Sequence, residues 1–197
     1  MEPYLTPWQE FKKTWEGCTL CELSKSRRRI VLAKGTIPCD VLMIGEAPGP
    51  TENHLGVPFA GPAGSLLDKI IERAEQNIGK TPTKGFTNLI CCFPKSEETN
   101  KKFNQPPGYA IKACSPRLLE FIKLCRPGLL VLVGQLSGKY ILLSQENLWE
   151  LGLTKEPKRV EIMHPAAILR MKQDQPESAR LEIRRCVITL GEAFSEL

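Results

Sequence analysis

Three polar side chains stand at or near the ends of apolar runs in this sequence. Glu46 follows the run DVLMIG, Asn88 interrupts the run FTNLIC, and His164 follows the run RVEIM. A carboxylate can activate water, and a planar amide offers a donor and an acceptor side by side. An imidazole can donate a hydrogen bond. Together the three could read the polar edge of a ligand and promote its hydrolysis.

Cysteine is the second residue type whose spacing suggests chemistry, and the chain has eight. Cys18 and Cys21 form a CxxC pair, and further cysteines follow at 91, 92, 114 and 125. A redox CxxC pair usually sits at a strand-to-helix turn, whereas this pair precedes the first predicted strand, which favours metal ligation. Four thiolates suffice for zinc or for an iron–sulfur cluster, and the spacing alone does not separate the two. Three other cysteines are expected to be ordinary buried residues: Cys39, Cys125 and Cys186.

The composition is that of a globular protein, with 197 residues, 42% hydrophobic and 25% charged. No apolar run approaches the roughly 20 residues of a membrane span, and the N-terminal segment lacks the layout of a secretory signal. We therefore expect a cytoplasmic protein. The net charge of +5 and the basic cluster from Lys25 to Arg29 suit a nucleic-acid partner, although a charge run is more often a solvated face.

Apolar runs alternate with segments of helical periodicity along the chain, which predicts an α/β fold. We expect a single domain over residues 1–197, a three-layer α/β/α arrangement around a central, mainly parallel four-stranded sheet. The predicted strands are Asp40–Gly45, Phe86–Cys91, Leu129–Val133 and Arg159–Met163. The predicted helices are Ser65–Ala74, Ala110–Leu124, Leu136–Leu143 and Ser178–Phe194, with an irregular loop from Glu46 to Gly64.

Ligands of such sheets bind beyond the carboxyl ends of the strands. Three separate stretches meet there in the predicted architecture: Glu46–Gly49, Asn88–Cys92 and His164–Pro165. We therefore expect one site to contain all three.

The same stretches carry a resemblance to a known family. The segments Gly45–Glu52 and Gly56–Gly64 resemble the first motif of the family 4 uracil-DNA glycosylases, Thr87–Cys92 resembles the second, and His164–Arg170 resembles the last. They occur in the family's order. The resemblance implies a repair enzyme that flips uracil out of single- or double-stranded DNA and hydrolyses its N-glycosidic bond, which releases uracil and leaves an abasic site.

The resemblance also implies roles for the residues that read the base. Phe59 would stack on the flipped uracil, the Asn88 amide would match uracil O4 and N3–H, and His164 would donate to O2 as charge develops there. Glu46 is favoured for activating water, with Glu52 as the alternative. Ala47 and Gly49 are expected beside the base.

A further group of residues is expected to contact DNA or the cofactor. Ile168 and Leu169 are candidate wedges for the vacated stack, and Arg170 is a candidate phosphate contact. Backbone amides near phosphate are expected at Gly61, Ala63 and Gly64. By the resemblance, a [4Fe–4S] cluster is bound by Cys18, Cys21, Cys92 and Cys114.

The sequence departs from the family pattern at a few positions. Asn53 stands where an acidic residue is usual, so it could change the charge near the sugar or only the hydrogen bonding of the loop. Ala166 replaces a common serine, and the Lys95–Gln105 insertion has no counterpart. A branch of the family captures the sugar with a loop histidine, and none occurs between Cys92 and Cys114.

Two alternatives to the hydrolase remain open. One is a uracil-DNA glycosylase-like DNA-binding protein with weakened catalysis, and the other is a zinc or redox protein that uses the CxxC pair. A monomer is expected in each case, and the sequence names no protein partner.

Overall fold

The computed structural model describes residues 5–95, 105–141, 152–153 and 155–197, and its strands form one five-stranded sheet. In chain order the strands are β1 (Lys34–Gly35), β2 (Val41–Gly45), β3 (Lys84–Asn88), β4 (Leu129–Val133) and β5 (Lys158–Ile162). Their order in the sheet is β1-β3-β2-β4-β5, with β1 antiparallel to β3 and all other pairs parallel. The predicted α/β fold is confirmed.

Seven α-helices lie among the described residues. They are α1 (Pro7–Trp15), α2 (Pro50–Leu55), α3 (Pro62–Ile78), α4 (Gly108–Cys125), α5 (Gln135–Tyr140), α6 (Pro165–Asp174) and α7 (Pro176–Ser195), and a short 3₁₀ helix spans Glu22–Lys25. In this part of the chain no helix is both long and apolar enough to cross a membrane.

The two central strands explain the layered packing. Every residue of β2 and of β4 is buried, so the sheet is covered on both faces. Helices α3, α6 and α7 contribute apolar side chains to one core, and α1 and α4 contribute to the other. The result is the predicted three-layer arrangement.

The first helix matters for the site because it carries the CxxC pair to the sheet. Helix α1 begins with a capping box, in which the Thr6 hydroxyl accepts from the Gln9 N–H and the Gln9 side chain accepts from the Thr6 N–H. Its Phe11 ring is buried and packs on Phe121 of α4 at 5.4 Å between centroids. This contact sets the following segment, with Cys18, beside α4.

The predicted four strands were one too few. The extra strand, β1, has only two residues, too short for any alternation of apolar and polar residues to reveal it. Helix α2 was likewise missed inside the predicted irregular loop, because its six residues lack a helical apolar pattern. The predicted helix Leu136–Leu143 is described only to Ile141, and most of the Lys95–Gln105 insertion lies outside the described residues.

Candidate active site and cysteine pocket

The carboxyl ends of the four parallel strands bring the predicted site residues to one edge of the sheet. Gly45 pairs with Asn88 across β2 and β3, and Val133 pairs with Ile162 across β4 and β5. His164 follows two residues after Ile162. The three stretches expected at one site therefore do meet.

Phe59 and Asn88 converge on a position that has no side chain. A methyl group at Gly45 would overlap the Asn88 amide oxygen and would lie 2.7 Å from Cζ of Phe59. Asn88 is buried, and the Phe59 ring stands edge-on to Phe86 with the centroids 5.9 Å apart. Glycine at position 45 thus lets the amide and the aromatic ring both approach the end of β2.

The backbone of Phe59 is held in an unusual conformation. Its φ is +52°, in the left-handed region that non-glycine residues seldom adopt. The Lys34 ammonium donates to the Phe59 carbonyl at 3.2 Å, and Gly64 of α3 is so close that any side chain there would overlap the Phe59 backbone. These two contacts hold the backbone of Phe59 and thereby set the position from which its ring projects.

Glu46 and His164 flank a second glycine. A methyl group at Gly134 would overlap the Glu46 carboxylate and would lie 3.2 Å from Cβ of His164. The Glu46 carboxylate accepts from the Leu136 N–H at 3.2 Å, near the start of α5. Burial raises the pKa of Glu46 above its ordinary value of 4.5, although the Leu136 N–H and the Arg170 charge both oppose the shift.

His164 is held in one tautomer. The backbone N–H of Ala166 donates to Nδ1 of His164 at 3.1 Å, so in the neutral ring the proton resides on Nε2. Burial, with a smaller contribution from the Arg170 charge, lowers the pKa of His164 from 6.5 to about 4, while Glu52 opposes the shift. At neutral pH the ring is an uncharged donor through Nε2.

Glu52 has a different task from Glu46. Its carboxylate is buried and accepts from the Gly49 N–H at 3.0 Å and from the Gly61 N–H at 2.8 Å. Each carboxylate oxygen accepts one backbone N–H, so Glu52 braces the loop, and its role as the alternative water-activating base stays a prediction. Ala47 and Gly49, expected beside uracil, are half-buried after Glu46.

Two of the expected DNA contacts need correction. The Gly61 N–H donates to the Glu52 carboxylate at 2.8 Å, so it is not free for a phosphate. Gly64 is buried beside the Phe59 backbone, and its phosphate contact stays a prediction. Ile168 is only 1% exposed and belongs to the core, so it cannot act as a wedge. Ala63 and Leu169 are half-buried and Arg170 is exposed, and their DNA contacts stay predictions.

The expected cluster ligands line one small pocket. Cys18 and Cys21 come from the segment after α1, Cys92 from the loop after β3, and Cys114 from α4. Cys91 also lines this pocket, which spacing did not predict. In the described part of the chain, no three histidine, cysteine, aspartate or glutamate side chains are arranged to hold a single metal ion.

Two arginines act on these thiols. Nη1 of Arg27 lies 3.4 Å from Sγ of Cys92, and Nη2 of Arg117 lies 3.8 Å from Sγ of Cys114. A hydrogen bond from Cys91, together with the Arg117 charge, lowers the pKa of Cys114 below its ordinary value of 9.0, although burial opposes the shift. Because a thiolate is the form that binds metal, this lowering prepares Cys114 for ligation.

Comparison with known proteins bears directly on this site. The family model described as the uracil DNA glycosylase superfamily matches residues 33–187, more than half of the chain. The chain belongs to the uracil-DNA glycosylase superfamily.

Curated relatives agree with this membership and with the family 4 resemblance. A "Type-4 uracil-DNA glycosylase" of Pyrobaculum aerophilum is 30% identical over 82% of this chain and 84% of its own length. A protein of the same name from Archaeoglobus fulgidus is 27% identical over 82% of this chain and 82% of its own length. Another, from Thermotoga maritima, is 26% identical over 87% of this chain and 84% of its own length.

Within this uracil-DNA glycosylase fold, the departure at Asn53 has a structural explanation. The Asn53 side-chain oxygen accepts from the backbone N–H of Arg28 at 2.8 Å and of Arg29 at 3.4 Å. Asn53 therefore ties the basic cluster Lys25–Arg29 to α2. These contacts favour an effect of Asn53 on the hydrogen bonding of the loop over an effect on the charge near the sugar.

Two residues at the site, Lys34 and Arg117, could not be picked out as site residues from the motifs of this uracil-DNA glycosylase superfamily chain. Nothing in the sequence marked Lys34, since it donates to the backbone carbonyl of Phe59, which is distant along the chain. Arg117 could have been suspected, because it lies one helical turn after Cys114.

The tautomer of His164 yields the first prediction. In an NMR titration with ¹⁵N-labelled protein, one histidine should stay neutral with its proton on Nε2 down to about pH 5 and should titrate near pH 4. His164→Gln should remove that resonance and so assign it.

Because the folded pKa of His164 lies below the unfolded value of 6.5, the unfolded chain binds more protons, and the free energy of unfolding decreases as pH falls from 6.5 towards 4. A His164 ring that titrates at or above 6.5 would contradict the assignment.

Proposed function

We propose that this protein excises uracil from DNA, leaving an abasic site. One observation carries the proposal: Phe59, Asn88, Glu46 and a neutral His164 meet at the carboxyl edge of the sheet, around two positions that lack side chains. The name of the relatives, type-4 uracil-DNA glycosylase, and the superfamily membership support it.

Base selection follows from the buried amide. The Asn88 side chain presents a carbonyl and an NH₂ group, which pair with uracil N3–H and O4. Cytosine has an amino group at position 4 and an acceptor at N3. Its amino group would face the Asn88 NH₂ group, and its N3 would face the Asn88 carbonyl, so neither pair could form a hydrogen bond. A mismatch of this kind in a buried site leaves polar groups unpaired, which excludes cytosine more strongly than shape could.

Hydrolysis requires charge to be stabilised on both sides of the bond that breaks. As the C1′–N1 bond breaks, its electron pair moves to the base and negative charge develops at O2, where Nε2–H of His164 donates. Water forms the new bond to C1′ and loses a proton to the Glu46 carboxylate. A neutral donor suits this step, because it stabilises the leaving base without first having to be protonated.

The cysteine pocket fits the [4Fe–4S] cluster that the family implies. We propose Cys18, Cys21, Cys92 and Cys114 as its ligands, since they line one pocket with two arginines beside them. Four thiolates are the usual ligand set of such a cluster. When bound, the cluster would cross-link the N-terminal segment to α4 and the loop after β3.

The DNA strand would run past α6. Arg170 is exposed on this helix and its charge acts on both Glu46 and His164, which supports a position near the scissile bond. We propose that Arg170 contacts a phosphate and that Leu169 enters the space left by the flipped base.

Eight free cysteines and an iron–sulfur cluster also suit a reducing compartment such as the cytoplasm.

The function is tested with a labelled oligonucleotide that contains one uracil, followed by alkaline cleavage at abasic sites. We expect strand scission with the wild-type protein and a loss of excision rate on the order of 100-fold or more in His164→Ala and in Asn88→Ala. Cys125→Ser, at a buried position in the core on the α4 side of the sheet, serves as the control and should stay near wild type. No scission of single- or double-stranded substrate by the wild-type protein would refute the function.

The two loop carboxylates are distinguished by a matched pair of variants. Glu46→Gln should lower the excision rate by about 100-fold or more, because no base remains to accept the proton from water. The excision rate of the wild-type protein should fall as the pH is lowered through the raised pKa of Glu46, because the protonated carboxyl cannot accept a proton. Glu46→Gln should lose that pH dependence. Glu52→Gln should instead lower the unfolding free energy by about 1–3 kcal/mol, because its amide NH₂ would face a backbone N–H. A Glu52→Gln protein of normal stability without activity would overturn this division of roles.

The neighbouring cysteines offer an internal control for the cluster. Cys92→Ser should lose iron and visible absorbance, whereas Cys91→Ser should keep both, since Cys91 is expected only to hydrogen-bond Cys114. Iron analysis and the absorption spectrum of each purified variant make the measurement. Loss of iron in Cys91→Ser alone would move the ligand assignment to Cys91, and colourless wild-type protein holding zinc would refute the cluster.

A further inference from the structure

Arg117 is the most deeply buried cation among the described residues. It lies on α4, it is 1% exposed, and it stands between the cysteine pocket and the end of β3. A buried charge is costly unless several hydrogen bonds compensate it, and an apolar side chain of similar volume often fits such a place as well or better. The contacts of this guanidinium are therefore informative.

On one side the guanidinium holds the strand that carries the base-reading amide. Nη1 donates to Oγ1 of Thr87 at 2.7 Å, and Nη2 donates to the carbonyls of Asn88 at 2.6 Å and of Leu89 at 3.0 Å. β3 ends at Asn88, so the guanidinium binds the carbonyls of the last residue of the strand and of the residue that follows it. Arg117 thus fixes the backbone from which the Asn88 side chain projects.

On the other side the same group meets a thiol of the cysteine pocket. Nη2 lies 3.8 Å from Sγ of Cys114, one helical turn away, and Arg117 lines the pocket together with Cys92. Nε of Arg117 finds no hydrogen-bond partner among the described residues. The guanidinium therefore gives up one of its own hydrogen bonds while it spans the two sites.

We propose that Arg117 is a positioning residue, which holds the Asn88 amide in register with the base through the backbone of β3 and is itself held by the Cys114 ligand. The inference rests on the proposed excision of uracil and adds a physical link between the cluster and base recognition. It also gives the cysteine pocket a part in selectivity, because a shift of Arg117 would move the end of β3.

The test is a double-mutant cycle on the single-turnover rate of uracil excision. Arg117→Met, which keeps the length but removes the charge and the donors, should lower the rate by on the order of 100-fold. Arg117→Lys should recover part of the loss, because one cationic donor group remains. In an Asn88→Ala background, removing Arg117 should cost less than about threefold further, because the residue through which it acts is gone.

Phe121→Leu serves as the control for a merely structural effect. It alters the same helix at its contact with Phe11, away from Asn88, so its effect should be the same with and without Asn88→Ala. If Arg117→Met also had equal effects in both backgrounds, the positioning role would be refuted.

A second measurement does not use excision and separates this inference from the proposed function. In Arg117→Met with normal iron content, the midpoint potential of the cluster should become more negative, because a positive charge beside a ligand thiolate is lost. An unchanged potential would refute the link to the cluster. If the wild type excised no uracil while the potential still shifted, the proposed function would fail but the contact between Arg117 and the cluster ligand would be supported.

Discussion

Parallel pairing of β2, β3, β4 and β5 is the constraint on which the candidate site depends. Each of the four strands delivers its last residues to the same edge, so functional groups that are more than a hundred residues apart in the chain meet there. The pairing of Gly45 with Asn88 is the critical step in the register. A shift by one residue would turn the Asn88 side chain to the opposite face of the sheet.

The two carboxylates of the active-site loop illustrate how surroundings divide similar residues between roles. Glu46 is half-buried, and burial raises its pKa although one backbone N–H opposes the shift, so it keeps the capacity to accept a proton. Glu52 receives one backbone N–H on each oxygen and braces the turn between α2 and α3. Two carboxylates six residues apart thus differ in their surroundings, as the proposed division of roles requires.

Much of this arrangement could be predicted from the sequence, because long apolar runs and ordered motifs carry it. The strand Leu129–Val133 was predicted with its observed ends, and Asn88 and His164 lie where the alternation of strands and helices required. What failed depended on contacts between distant residues. The burial of Ile168 follows from the packing of α6 on the core, and the use of the Gly61 N–H follows from the direction of the Glu52 side chain. Neither is encoded by local periodicity.

The empty positions at Gly45 and Gly134 also bear on how the protein can evolve. Every other amino acid adds at least a methyl group, which would collide with the Asn88 and Phe59 side chains at position 45 or with the Glu46 side chain at position 134. No substitution at either position is conservative in volume, so both are expected to be intolerant of mutation despite contributing no functional group. The approach of these side chains to the sheet is in this sense inherited through atoms that are absent, and a scan for chemically reactive side chains would overlook both glycines.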